Sequence, residues 1–416
     1  MNAATPATPG ATPDPGTVTW VPGAAGSLHD VDNLPYGVFD LPGDDAPARV
    51  GVRIGDHVLD LAAAAQALAP AYGPLLDTPR LNDLMAAGHT TWTAVRAWVT
   101  DLLLDPASED SLTLHPVASV RLHLPFEVAD YVDYYASEHH ASNVGRMFRP
   151  DAEPLLPNWK HLPVGYHGRA GSVVVSGTPI HRPSGQRRPA GADAPSFGPS
   201  ARLDIEAELG FVVGRGVELG TPVGTADFRT TVFGVTGVND WSARDVQAWE
   251  YVPLGPNLAK SFATSIGAWV TPLEALEAAR VPLPGQDPEV LPYLREDGPG
   301  GYDIEVEVEL DGEVVARPPY RDMYWSPAQM LAHMTVNGAS LRVGDLYASG
   351  TISGPERHQR GSFLELSWGG AEPFTAAGRE RTFLEDGDEV VLRYTAPGAR
   401  GRIALGEVRG TIVPAV

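Results

Sequence analysis

The stretch LDIEAELG, residues 203–210, sets two carboxylates two positions apart on a segment of alternating character. Leu203, Ile205, Ala207 and Leu209 alternate with Asp204, Glu206 and Glu208. That is the period of a β-strand, in which side chains two apart share a face. Glu206 and Glu208 therefore stand side by side as like charges. The following Gly210-Phe211-Val212-Val213 is apolar, so the strand is expected to run into a core. In an apolar setting one of two such carboxylates takes up a proton unless a cation holds both. A divalent metal resolves that conflict. The ligand set on offer is all oxygen: Glu206 and Glu208, with Asp133 and Asp240 as candidates. The chain has no cysteine, so the hard cations Mg²⁺, Ca²⁺ or Mn²⁺ are favoured. Taken alone, an E-x-E strand is more often a solvated face.

Three other stretches concentrate polar groups: DYVDYYASEHHASNVGRMFRP (130–150), VNDWSARDVQAWEYVPLGPNLAKSFATSIG (238–267) and LYASGTISGPERHQRGSFLELSWGG (346–370). They supply histidines, further carboxylates, and the Arg and Lys needed to offset them. Arg244 and Gln247 lie three apart, on one face if SARDVQAW is helical. Asp133 and His140 lie seven apart, about two turns if that segment is helical. On that reading His140 faces the metal and His139 points away.

The elements that position these groups belong to a chain of 416 residues, long enough for two or three domains. Gly (45) and Pro (39) together make about a fifth of it, which favours turns and short strands over long helices. The formal net charge of −22 argues against nucleic acid or an anionic membrane as partner. No apolar run of about 18 residues occurs, so no membrane-spanning helix is expected. Without cysteine there are no disulfides, zinc–thiolate sites or cysteine nucleophiles, as fits a reducing, cytoplasmic setting. The opening MNAATPATPGATPDPG has neither the basic nor the apolar region of a secretory signal. Its Ala/Thr/Pro bias predicts a disordered tail over 1–27.

Two strand-like runs, ARVGVRIG and HVLDLA, meet at Gly55-Asp56 as a hairpin, and 78–104 has helical spacing. This predicts a small β-then-α domain over 28–120. From 121 to 416, short β runs alternate with Gly/Pro loops, two of them longer, at about 183–200 and 283–301. One helix is clear, SPAQMLAHMTVNG, with Ser326 as N-cap, Pro327 in the first position and Gly338 as stop.

The segments NLPYGVF, DYVDYYASEHHASNVGRMFR, LLPNWKHLPVGYHGRAGSVVVSGTPI, LDIEAELGFVVG, NDWSARDVQAWEYVPLGPNLAKSFATSIGAWV, YRDMYW, VNGASLRVGDLYASGTISG and FLELSWGG closely resemble the fumarylacetoacetase family. They follow the family's order over about 28–416. The resemblance implies a mostly β fold with some α: a small N-terminal SH3-like β domain and a large C-terminal β-roll catalytic domain, assembled as a homodimer. It implies metal ligation by Asp133, Glu206, Glu208 and Asp240, with Mg²⁺ or Ca²⁺ bound. A second, weaker cation site near Lys260 and Thr264 is also implied. His140 matches the family's general base and Glu365 the carboxylate that orients it. Arg244, Gln247 and Lys260 match the oxyanion donors. Tyr135, Arg149, Tyr166, Gln247, Tyr251 and Thr351 match substrate-binding positions, with simple packing an open alternative for Tyr166 and Tyr251. The implied reaction is metal-dependent hydrolysis of the carbon–carbon bond of 4-fumarylacetoacetate, the last step of tyrosine and phenylalanine breakdown. Two rivals remain: an acylpyruvate hydrolase, isomerase or decarboxylase of the same superfamily, and a non-catalytic metal-binding β protein. The loop GPERHQRGS, 354–362, departs from the family pattern and would alter substrate range if it covered the site.

Overall fold

The computed structural model describes residues 17–44, 46–189 and 191–416. In the N-terminal domain the expected hairpin forms: β1 (Tyr36–Asp40), β2 (Arg49–Ile54) and β3 (His57–Asp60) pair antiparallel, with Ile54 opposite His57 across Gly55-Asp56. Gly55 has φ +55°, a left-handed conformation that glycine adopts at little cost. Asp60 then caps α1 (Leu61–Leu68), and α2 (His89–Leu104) buries Trp92, Val95, Val99 and Leu103 on one face. The sheet continues through β4 (Leu114–Pro116) on β3 and β5 (Arg121–Leu122) on β1, so its pairing runs past residue 120. The disordered tail expected over 1–27 is corrected for its second part: Thr19 and Val21 are buried, and Thr19 Oγ1 and Trp20 Nε1 donate to the last carbonyls of α2. Residues 1–16 lie outside the described part.

The C-terminal domain begins with β6 (Tyr131–Tyr134), followed by α3 (Glu138–Phe148), β7 (Gly165–His167) and β8 (Val173–Val175). The long loop expected at 183–200 is instead a two-stranded hairpin, Ser184–Arg187 on Ser196–Pro199. Next come β9 (Leu203–Asp204), β10 (Ala207–Val213), β11 (Val232–Asp240), α4 (Arg244–Glu250), β12 (Thr264–Ile266) and β13 (Trp269–Pro272). After β14 (Glu305–Leu310) comes α5 (Pro327–Thr335). Ser326 and Gln329 form a capping box there, and Gly338 has φ +88°, as its sequence signals predict. Last are β15 (Leu346–Ala348), the short α6 (Phe363–Leu366), β16 (Glu389–Pro397) and β17 (Val408–Val413).

One 13-stranded sheet joins the domains, in the order β4-β3-β2-β1-β13-β11-β10-β15-β6-β7, with β12, β8 and β5 attached at its sides. A six-stranded sheet built on β14, β16 and β17 packs beside it. Among the described residues, no helix is long and apolar enough to cross a membrane.

The centre of the large sheet explains why apolar residues occur on both faces of β10. Leu209, Phe211 and Val213 pack into the main core, while Val212 belongs to the core shared with the N-terminal domain. Glu206 and Glu208 lie on the Val212 side of this doubly covered segment. They are 6% and 0% exposed, so the solvated-face reading fails.

Candidate active site

Sheet register assembles the carboxylates. Asp133 sits on β6 opposite Ala348 of β15 on one side and Tyr166 of β7 on the other. Asp240 ends β11 opposite Thr264 of β12. Glu208 is the second residue of β10, opposite Val238 of β11, and Glu206 falls in a break between β9 and β10, tied by its N–H to Asn239 Oδ1. Asp133, Glu206, Glu208 and Asp240 are all buried, and one carboxylate oxygen from each lies within 4.8 Å of the others.

The cations named from the sequence meet this cluster. Lys260 Nζ donates to Glu206 Oε2 (2.5 Å) and Asp240 Oδ2 (2.7 Å). Arg244 Nη1 lies 2.7 Å from Glu206 Oε1, and Thr264 Oγ1 donates to Asp240 Oδ1 at 2.7 Å. Tyr166 donates to Asp133 Oδ2 (2.8 Å) and Asp240 Oδ2 (3.2 Å), so its hydroxyl does more than pack. The compensation is unequal. Burial works to raise Glu206, but Lys260 and Arg244 win and hold it well below the usual carboxylate range. Burial and the neighbouring carboxylates push Asp133 and Glu208 well above it. Asp133 Oδ1 and Glu208 Oε1 are buried with no hydrogen-bond partner among the described residues. Lys260 and Arg244 supply two positive charges to four carboxylates, so they cannot neutralise the whole cluster if all four are ionised, and the orphaned oxygens of an all-oxygen set fit a hard divalent cation.

The His–Glu pair forms from opposite parts of the chain. Ser137 caps α3 by accepting from His140 N–H, which places His140 in the first turn, 3% exposed. Its Nδ1 lies 2.6 Å from Glu365 Oε2 on α6, 225 positions away. Burial works to raise Glu365, but His140 and hydrogen bonds from Asn143 and Ser353 hold it below the usual range. The Asp133–His140 spacing is not helical: Asp133 is on β6, and α3 starts only at Glu138. A strand followed by a turn into a helix delivers both residues to the cleft instead. His139 is half-buried and does not line the cleft.

That cleft, of about 380 Å³, is lined by Asp133, Tyr135, His140, Arg149, Tyr166, Glu206, Arg244, Gln247, Tyr251, Lys260 and Thr351. The α4 helix forms as expected and presents Arg244 and Gln247 together, Arg244 Nη1 donating to Gln247 Oε1 at 3.1 Å. Thr351 Oγ1 is buried without a partner, and Tyr251 is 41% exposed at the wall. Among the described residues, Arg149 has no carboxylate within ion-pair distance; its Nη2 donates to Pro154 O. Loop 354–362 does not line the cleft. It buttresses α6 from behind, Arg360 Nη1 donating to the carbonyl of Glu365 and Arg357 Nε to that of Leu366.

Four contributors were not picked out in the sequence. Asn143 Nδ2 donates to the second oxygen of Glu365 at 2.9 Å; its position one helical turn after His140 was the available signal. Ser353 and Ser362 donate to Oε2 of the same carboxylate. Gly350 offers its N–H to Glu208 Oε2 at φ +74°, and a Cβ there would stand 2.1 Å from Tyr134 O. Gly350→Ala should therefore lower stability by more than about 1–3 kcal/mol. A thermal midpoint equal to wild type would refute that.

Comparison with known proteins defines the class. Residues 130–413 match the family model described as fumarylacetoacetate hydrolase C-terminal, and residues 32–125 match that described as fumarylacetoacetase N-terminal. Fumarylacetoacetase of Homo sapiens is 45% identical over 420 residues, covering 96% of this chain and 99% of that protein. The enzyme of Oryza sativa subsp. japonica is 43% identical, over 94% of this chain and 96% of its own. A fumarylacetoacetate hydrolase structure from Exiguobacterium antarcticum shares the fold, with a TM-score of 0.55 at 17% identity over 92% of this chain and 99% of that one. So does maleylpyruvate hydrolase from Sphingobium sp. SYK-6, solved with manganese(II) and pyruvate, with a TM-score of 0.52 at 15% identity, covering 92% of this chain and all of that one. The chain belongs to the fumarylacetoacetase family.

Proposed function

We propose that this protein hydrolyses the carbon–carbon bond of 4-fumarylacetoacetate, giving fumarate and acetoacetate, as a cytoplasmic homodimer. The observation that carries the reading is one cleft lined by His140, whose Nδ1 meets the buried Glu365, and by Asp133 and Glu206 of the buried carboxylate cluster. Asp133, Glu206, Glu208 and Asp240 would hold a divalent cation, Mg²⁺ or Ca²⁺, with Lys260 and Thr264 beside a second, weaker site. When bound, such a cation supplies a Lewis acid for the diketone oxygens.

With Nδ1–H donated to Glu365, His140 keeps Nε2 as the acceptor. Nε2 takes a proton from water, and the hydroxide adds to the carbonyl beside the fumaryl group. The developing oxyanion is met by N–H groups still free on Arg244, Gln247 and Lys260. Gln247 accepts through Oε1, which leaves its amide N–H₂ to donate. The bond between the carbonyl carbon and the acetoacetate carbon then breaks. Fumarate forms, the electron pair passes to the acetoacetate enolate, and His140 returns the proton to carbon. Tyr135, Arg149, Tyr166, Tyr251 and Thr351 hold the substrate.

The test is the ultraviolet loss of the diketone chromophore, with and without chelator and with an acylpyruvate in parallel. Loss of fumarylacetoacetate absorbance that chelation abolishes is expected. A stable chromophore, or faster turnover of the acylpyruvate, would sink the proposal.

Among the described residues Arg149 has no acidic partner, so in a strongly acidic chain its charge is a ready seat for the terminal carboxylate of the substrate. Arg149→Met should raise KM at least tenfold while kcat changes little. The reverse pattern would put Arg149 in the chemistry.

A further inference from the structure

Asp204 alternates in sequence with Glu206 and Glu208, yet it is not part of their cluster. Chain pairing stops after β9, and the Asp204 side chain turns to other partners while remaining fully buried. Its Oδ2 accepts from Arg244 Nε at 2.7 Å and from Leu364 N–H at 3.0 Å. Its Oδ1 accepts from Phe363 N–H at 2.8 Å and from Ile205 N–H at 2.8 Å. One carboxylate thus ties the guanidinium of Arg244 to the backbone that leads directly into Glu365.

Arg244 has three faces. Asp204 holds Nε, while Glu206 and Gln247 share Nη1. Nη2 is buried without a partner among the described residues, in a side chain that lines the cleft. A guanidinium gripped only by Glu206 can rotate about that contact. A second carboxylate on Nε fixes its plane, and so the direction in which Nη2 donates.

We propose that Asp204 is a positioning residue that aligns the oxyanion donor Arg244 with the His140–Glu365 pair. The inference rests on the role given to Arg244 above. Asp204→Asn retains the shape. Its amide oxygen can still accept from Phe363 and Ile205 N–H, but its NH₂ then faces both the Nε–H of Arg244 and the N–H of Leu364, donor against donor. Loss of alignment of a single oxyanion donor predicts a kcat about 10- to 100-fold lower, with KM within about threefold of wild type.

The test is a double-mutant cycle with Arg244→Lys, read as kcat and KM, with thermal midpoints for each protein. Asp204→Asn is expected to slow the wild type strongly and to add less than about threefold in the Arg244→Lys background. Asp204→Ser, uncharged and with a single oxygen, serves as the second variant and should behave alike. Wild-type kcat in Asp204→Asn overturns the proposal. So does an equal loss in both backgrounds, which marks a merely structural residue, or failure of both variants to fold. The two readings separate cleanly. Full activity in Arg244→Lys removes the role of Arg244 itself, whereas a slow Arg244→Lys beside a normal Asp204→Asn removes only the positioning role.

Discussion

His140→Asn is expected to lower kcat by about 10²–10⁴, a loss of about 3–5 kcal/mol of transition-state stabilisation, while divalent-cation binding is retained. The physical basis is the 2.6 Å contact between Nδ1 and Glu365, which commits Nε2 to accepting a proton. Asparagine can form hydrogen bonds there but cannot take the proton. Glu365→Gln should also slow turnover strongly, because an amide does not stabilise the imidazolium and can favour the wrong tautomer. Glu365 additionally accepts from Asn143, Ser353 and Ser362, so its geometry is fixed on every side. The double variant should be little slower than His140→Asn alone, since the two groups act as a unit. His139→Asn should stay near wild type, because His139 lies outside the cleft. A dead His139→Asn beside an active His140→Asn would reverse the assignment of the base.

Glu208→Gln should have effects of opposite sign with and without a divalent cation. Glu208 is fully buried, has one oxygen without a partner, and is pushed upward first by burial and then by Asp133, Glu206 and Asp240. Removing its charge relieves repulsion in the cation-free protein, so that form should melt at the same temperature or higher. The same change removes one of the four carboxylates proposed to hold the cation. Wild type at a cation concentration of about 100 Kd should gain about 2.7 kcal/mol of stability, and the variant should gain almost none. Activity should vanish with the binding. Calorimetry with Mg²⁺ and Ca²⁺, alongside thermal shifts, reads both arms. Wild-type affinity in Glu208→Gln would remove it from the cation site. Asp240 is a less clean target, because Lys260, Thr264 and Tyr166 all depend on it.

Much of this site was legible in the sequence because its information there is local. Alternation around Glu206 and Glu208 correctly set two carboxylates against an apolar run, and the spacing of Arg244 and Gln247 correctly put both on one helical face. The capping box at Ser326 and the hairpin at Gly55-Asp56 follow from backbone preferences confined to a few residues. Resemblance to a family then brought together side chains that no local rule connects.

Tertiary structure decided the rest. The seven-residue spacing of Asp133 and His140 would put both on one side only if that segment were helical, but Asp133 pairs within a sheet between β15 and β7, and long-range register decides its place instead. The same alternation that groups Asp204 with Glu206 and Glu208 fails where the strand breaks, and Asp204 turns to Arg244 and α6 instead. Loop 354–362 could have covered the cleft or supported it. Its arginines bind carbonyls of α6, so it supports it. In each case the sequence determined which chemical groups were available and the local shape of their backbone. Their partners were set by strand register and close packing between segments up to 225 positions apart, where the energy of a contact depends on geometry that no short stretch of chain contains.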